Sequence, residues 1–187
     1  MNLHAKAQFD RLYYTDVDFR ETKADTLDIK LDSILIVGIG SSLERIFLDD
    51  LSNKLIKDFS SKKIVATYSY IGKTMPDANK NYKEVNKDGY KAVLLFRPTD
   101  TSWFDIEHKS AGLGGIPTPI GFLSTSFSRN RTTYQQTFSL QLFKIDKKLT
   151  EIWCASVDID CEPDQKKGSK KVGNKIVARF KSNKYIN

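Results

Sequence analysis

Cysteine and histidine are nearly missing from this chain. Two of each occur in 187 residues, which excludes a disulfide scaffold and leaves little for a zinc centre of thiolates and imidazoles. Cys154 and Cys161 stand seven positions apart. On one continuous strand they face opposite sides and lie roughly 23 Å apart, whereas a disulfide spans ~7 Å. Only a chain that folds back between them could join them. His4 and His108 have no partner at helical or turn spacing. Long apolar runs are missing too, since no stretch approaches the ~18 residues of a membrane-spanning helix. The opening MNLHAKAQFDRLYYTDVDF has no basic patch, apolar stretch and small-residue cleavage site in succession. The chain is therefore expected to be cytosolic, or else a mature form whose leader has been removed. Neither a Gly-x-Ser-x-Gly elbow nor a Gly-Lys-Ser/Thr phosphate loop is present.

Acid is missing from one place in particular. Residues 165–187 carry Lys166, Lys167, Lys170, Lys171, Lys175, Arg179, Lys181 and Lys184 and no carboxylate side chain, within a chain of net charge +7. A basic end fits a solvated helix face, an anionic membrane surface or nucleic acid. Nucleic acid is the disfavoured partner, because single-strand binders interleave exposed aromatics with their basic residues, and Phe180 is better placed in a core.

What is present reads as an α/β domain. Ser33–Ile39 is an aliphatic run of the kind that forms a strand covered on both faces. Leu43, Ile46, Phe47, Leu51, Leu55 and Phe59 recur at helical spacing, so residues 42–59 are expected to be helical. Residues 63–70 read as a second strand, 76–85 as a second helix opened by Pro76, and 90–97 as a third strand stopped by Pro98. Residues 103–108 read as a short strand. Residues 111–133, rich in glycine and proline, read as a long loop. Residues 133–145 and 151–159 form a hairpin across Asp146-Lys147-Lys148-Leu149, and 170–183 a last helix. Leu27, Ile29 and Leu31 alternate with polar residues, which suggests a short strand in an extended N-terminal segment, residues 1–32. The expected architecture is a single three-layer domain over 33–187, with a βαβαβ unit, an antiparallel hairpin and a C-terminal helix.

The stretch Gly38-Ile39-Gly40-Ser41-Ser42 lies where strand gives way to helix. A dinucleotide fingerprint needs a third glycine, where Leu43 stands, and an acid closing the second strand, where Tyr68-Ser69-Tyr70-Ile71-Gly72 stands. Ser41 with Glu44 three residues on matches a capping box instead. The turn is expected to be structural. The enzymatic alternative is a small-ligand or nucleotide site over Gly38–Ser42 with Arg97 nearby. Asp158, Asp160, Glu162 and Asp164 alternate as in a calcium loop, but Pro163 and Ser169 replace the glycine and glutamate that such a loop requires. No metal or cofactor is therefore expected, and a thiol nucleophile at Cys154 is disfavoured beside Trp153 in mid-strand.

The segments ILIVGIGSSLERIFLDDLSNKL, IVATYSYIG, DGYKAVLLFRPTD, LQLFKIDKKLTEIWCASVDID and ARFKSNKYI, in this order, resemble a group of small, largely uncharacterised envelope lipoproteins of Gram-negative bacteria. Their domain is similar to the N-terminal α/β domain of TolB-type periplasmic proteins. The resemblance covers residues 33–187. It implies a non-enzymatic binding or assembly module on the periplasmic side of the outer membrane. The lipid-bearing cysteine would precede this chain, and an envelope protein would be the partner. The surface expected to meet a partner comprises Ile116, Ile120, Phe122 and Phe127 in the glycine-rich stretch, with Lys170, Lys171 and Lys175. The rival reading for those lysines is a nucleic-acid interface.

Overall fold

The structure, a computed structural model, describes residues 15–25, 29–109, 115–118, 121–124, 128–146, 149–161 and 166–187. Its centre is a six-stranded mixed sheet. The elements are β1 (Thr15–Ala24), β2 (Ser33–Gly38), α1 (Ser42–Ser60), β3 (Val65–Tyr70), α2 (Met75–Glu84), β4 (Ala92–Lys109), β5 (Gly115–Thr118), β6 (Gly121–Ser124), β7 (Ser128–Lys144), β8 (Thr150–Cys161) and α3 (Lys166–Ser182). The spatial order is β1-β8-β7-β4-β2-β3, and β5 pairs with β6 separately. β2 runs parallel to both β3 and β4, while β4–β7, β7–β8 and β8–β1 are antiparallel.

Side-chain alternation divides the core between the two faces of the sheet. Ile34, Ile36, Leu94, Phe96, Leu140, Trp153 and Val157 pack under α1 and α3 with Leu48, Leu55 and Phe180. Leu35, Val37 and Val93 face the other way, against Ala78 of α2. All six residues of β2 are therefore buried, as its unbroken aliphatic run requires. α1 and α3 lie side by side and run parallel. Phe59 stacks on Phe180 at 6.1 Å and 11°. Earlier along both helices, a β-carbon at Gly173 would meet Lys54 Cγ at 3.1 Å. Trp153 meets Phe180 edge-on at 5.2 Å. These rings tie the last helix to α1 and to β8, the strand next to edge strand β1.

The three-layer α/β architecture expected from the sequence is present, with four differences. The N-terminal segment holds a strand, but at Thr15–Ala24, paired along β8. Residues 29–32 are not a strand, and Leu27 lies outside the described residues. Pro98 does not stop β4: the ladder shifts register between Pro98 and Asp100 and continues to Lys109. A bulge tolerates a residue that lacks an N–H. The glycine-rich stretch is not simply a loop, because it holds β5, β6 and the start of β7. Ile46, counted in the apolar stripe of α1, is 58% exposed. β8 runs unbroken through both cysteine positions, so the fold-back that a bridge needs does not occur, and Cys154 is a free thiol.

Candidate functional site

The C-terminal ends of β2, β3 and β4 form the rim at which open α/β sheets bind ligands. In this chain the rim is occupied by the protein's own groups. The Ile39 amide donates to Phe96 O at 3.1 Å, and the Gly40 amide donates to Gly72 O at 3.1 Å. The Tyr70 hydroxyl donates to Gly40 O at 2.5 Å. Gly40 has φ +157°, and a β-carbon there would sit 2.6 Å from Glu44 Cβ. Gly72 has φ +135°, and its β-carbon would meet Asp77 Cβ at 2.8 Å. Each glycine is thus required by the close approach of the helix that follows it.

The capping box forms only in part. Ser41 is the N-cap residue with an extended backbone, but its side chain makes no cap hydrogen bond. The side chain faces solvent, while Glu44 takes the inner position beneath Gly40 and is 4% exposed. Glu44 lies in the first turn of α1, the position at which an acidic residue complements the helix dipole. The occupied loop amides bond to backbone carbonyls rather than to side chains. α2, by contrast, has a side-chain cap: the Asp77 amide donates to Thr74 Oγ1 at 3.4 Å, and the Thr74 hydroxyl donates to Asp77 Oδ2 at 2.7 Å.

Above this rim the Arg45 guanidinium lies 4.7 Å from the centre of the Tyr70 ring and 3.7 Å from the Asp49 carboxylate. Burial raises the Tyr68 phenol well above its ordinary value, and the Asp49 carboxylate adds to that. Burial raises Tyr70 as well, against the pull of Arg45. Both phenols therefore stay neutral, and neither is poised as a base. Arg97 is half-buried opposite Ser139, on the sheet face away from Phe96. The rim chemistry is that of a rigid, internally bonded edge.

The open face of β1, β8 and β7 carries a shallow hollow of about 350 Å³ lined by Asp16, Asp18, Asp158, Asp160, Gln135 and Thr137. The Arg20 guanidinium bonds both Asp18 at 2.8 Å and Asp158 at 2.9 Å. It lowers the Asp18 pKa, chiefly by that hydrogen bond. The Thr137 hydroxyl donates to Asp158 and the Gln135 amide to Asp160. Among the described residues no group of three or more His, Cys, Asp or Glu side chains comes together to hold a metal. Glu162 and Asp164 lie outside the described residues.

The expected partner surface divides in two. Lys171 Nζ donates to Thr15 O at 2.5 Å and Lys175 Nζ to Val17 O at 3.0 Å. Arg179 approaches Glu21 at 3.8 Å. Lysines one helical turn apart thus cover outward carbonyls of edge strand β1, a position from which an exposed strand would otherwise recruit another chain. Lys170 remains exposed. Ile116 and Phe122 fall in β5 and β6, where Ile116 pairs with Leu123 and Pro117 with Phe122. Ile120 and Phe127 lie outside the described residues.

The sequence discloses one strand of the arm that carries this small hairpin, residues 103–108, but not its partner, because Ser128–Thr133 falls in the stretch read as a loop. β2 follows β4 only to Phe96, and β8 follows β7 only from Tyr134. Beyond these points Phe104–Lys109 and Ser128–Thr133 pair only with each other among the described residues. Six residues at ~3.3 Å each extend this two-stranded ribbon about 20 Å past the sheet.

No family model matches the chain, and no curated protein matches it. Among solved structures, the PelC dodecamer from Paraburkholderia phytofirmans is similar at 10% identity and a TM-score of 0.45, over 92% of this chain and 99% of that one. A PDZ domain protein from Parabacteroides distasonis is similar at 9% identity and a TM-score of 0.40, over 98% of this chain and 40% of that one. Likenesses at this level bear on the course of the backbone and carry no functional argument.

Proposed function

We propose that this chain is a non-enzymatic binding or assembly module of the cell envelope, and that the β4–β7 arm is the part that engages its partner. The observation that carries this reading is the contrast between the two features at the C-terminal ends of the parallel strands. The rim, where a catalytic cleft would open, is bonded to itself through Phe96 O, Gly72 O and Tyr70 Oη. The arm leaves the same end as a ribbon whose two strands, among the described residues, pair only with each other. Two-stranded ribbons are marginal in water unless something packs on them. A protein partner that packs on the ribbon, with the Ile116–Leu123 and Pro117–Phe122 pairs of its small hairpin, supplies that support. The envelope setting rests on the resemblance to lipoproteins with TolB-like domains.

The register supplies the test. Trp103 and Tyr134 are cross-strand partners, so residues 104–133 can be replaced by an Asn-Gly turn that closes the remaining ladder. The shortened chain should keep its melting temperature. In cells of the source organism, the intact chain should fractionate with the envelope and crosslink into a discrete complex, and the shortened chain should not form that complex. A complex unchanged by the excision would refute the role of the arm. An intact chain found only in the cytosol would refute the envelope reading.

A further inference from the structure

α1 and α3 end the same way, side by side. After Phe59 the chain turns with Lys63 at φ 62°, the Lys63 amide donating to Ser60 O and the Ile64 amide to Phe59 O. After Phe180 it turns with Lys184 at φ 61°, the Lys184 amide donating to Lys181 O and the Tyr185 amide to Phe180 O. These are the two non-glycine residues with positive φ among the described ones, and both are lysine. Glycine adopts this conformation freely and is the usual residue after a helix, while L side chains strain to reach it. A lysine earlier in the last turn would complement the helix dipole without that strain, so dipole complementation leaves both lysines unexplained.

Since Phe59 stacks on Phe180, the two turns are neighbours and their charges accumulate. The Lys62 amine meets that of Lys181. That contact, then desolvation, then the Lys181 charge hold Lys62 below the ordinary lysine value. The acid in the last turn of α1, Asp58, already pairs with Lys54. Val65, which opens β3 at this same end, is 63% exposed. Four lysines thus stand at one end of the molecule beside an exposed aliphatic side chain, Lys63 and Lys184 on left-handed turns and Lys62 and Lys181 with their amines in contact.

We infer that the paired C-terminal turns of α1 and α3, through Lys62, Lys63, Lys181 and Lys184, dock the protein on an anionic phospholipid surface. Charge complementarity favours that occupant. The four lysines are distributed over two helix ends, which suits an array of headgroup phosphates. The exposed valine suits an interface that is apolar beneath its charges. The arm leaves the opposite end of the sheet, so this docking would direct it away from the lipid. The inference goes beyond the binding reading and does not depend on it.

The test uses the intact chain and phosphatidylcholine vesicles with or without roughly one-third phosphatidylglycerol. Lys63→Gly with Lys184→Gly removes two charges and relieves both turns, so the melting temperature should hold or rise. Each lysine at such a surface contributes roughly fivefold, so affinity for the anionic vesicles should fall about 30-fold. Lys166→Gln with Lys167→Gln makes the same charge change at the other end of α3 and should leave binding near that of the parent. Three results would overturn the inference: no binding of the parent to anionic vesicles at low salt, equal losses in both double variants, or duplex DNA displacing the vesicles at equal phosphate. Loss of vesicle binding with the envelope complex intact, or the reverse, separates this inference from the role of the arm.

Discussion

Gly40→Ala tests whether the strand-to-helix turn is built for packing or for a ligand. The added methyl would lie 2.6 Å from Glu44 Cβ, at a residue with φ +157°. Carbon atoms prefer about 3.5–4.0 Å, so the overlap is close to 1 Å. Overpacking of this kind costs roughly 1–3 kcal/mol, and a non-glycine residue in such a backbone region roughly 1–3 more. The expected loss is about 2–4 kcal/mol, since partial relaxation of the turn relieves both terms together. Urea unfolding followed by tryptophan fluorescence reports it, because Trp153 is fully buried. The transition midpoint should fall while its slope is unchanged. Glu44→Gly removes the opposing β-carbon and costs about 1 kcal/mol as a glycine within a helix. In the double variant the Gly40→Ala penalty should shrink by about 1–2 kcal/mol, a coupling that a cycle of the four proteins measures. A Gly40→Ala loss below about 0.5 kcal/mol, or strict additivity with Glu44→Gly, would refute the packing explanation. A ligand-based reason for the glycine would then have to be sought.

Phe180→Ala should cost about 3–5 kcal/mol, because its ring fills the junction between Phe59, Trp153 and Tyr185; a loss under 1.5 kcal/mol by the same urea assay would show that α3 is not anchored there. The Tyr185 phenol, pushed up to about 12 by burial and then by the Asp25 and Glu21 charges, should stay protonated in the folded chain while the unfolded chain ionises from about 10. Its stabilisation is therefore complete below pH 10 and lost as pH rises towards 12. Tyr185→Phe should flatten that decline, and it should also lower stability at neutral pH by about 1–2 kcal/mol through the lost bonds to Asp25 O and Ile152 O. Lys171→Met with Lys175→Met should uncover the carbonyls of Thr15 and Val17 and promote self-association visible by light scattering. A double variant as monodisperse as the parent would show that the lysines do not guard the edge.

Burial patterning made the centre of the molecule legible. The four aliphatic residues Ile34–Val37 of β2, the stripe through Leu51, Leu55 and Phe59 and the alternation Phe138–Leu140–Leu142 each identify an element whose face is decided locally. β1 was not legible, because only Thr15 and Val17 are buried in it, one of them polar, and its solvent face carries Asp16, Asp18 and Arg20. Half of the arm escaped notice, because the glycines and prolines of residues 111–133 read as a loop. Pro98 appeared to end β4 because a sequence does not indicate where a ladder will bulge.

The sequence by itself determined the layered α/β core, since burial imposes a period on residues that are near neighbours along the chain. It also determined the basic character of the last helix, and it excluded the nucleotide fingerprints. Only the tertiary structure decided what those charges do. Lys171 and Lys175 reach carbonyls that lie 156 and 158 positions away. Lys62 and Lys181 come together because α1 and α3 pack in parallel on one face of the sheet. Charge is a local property of the chain, but which charges adjoin depends on how distant elements pack, and no spacing within either helix encodes that.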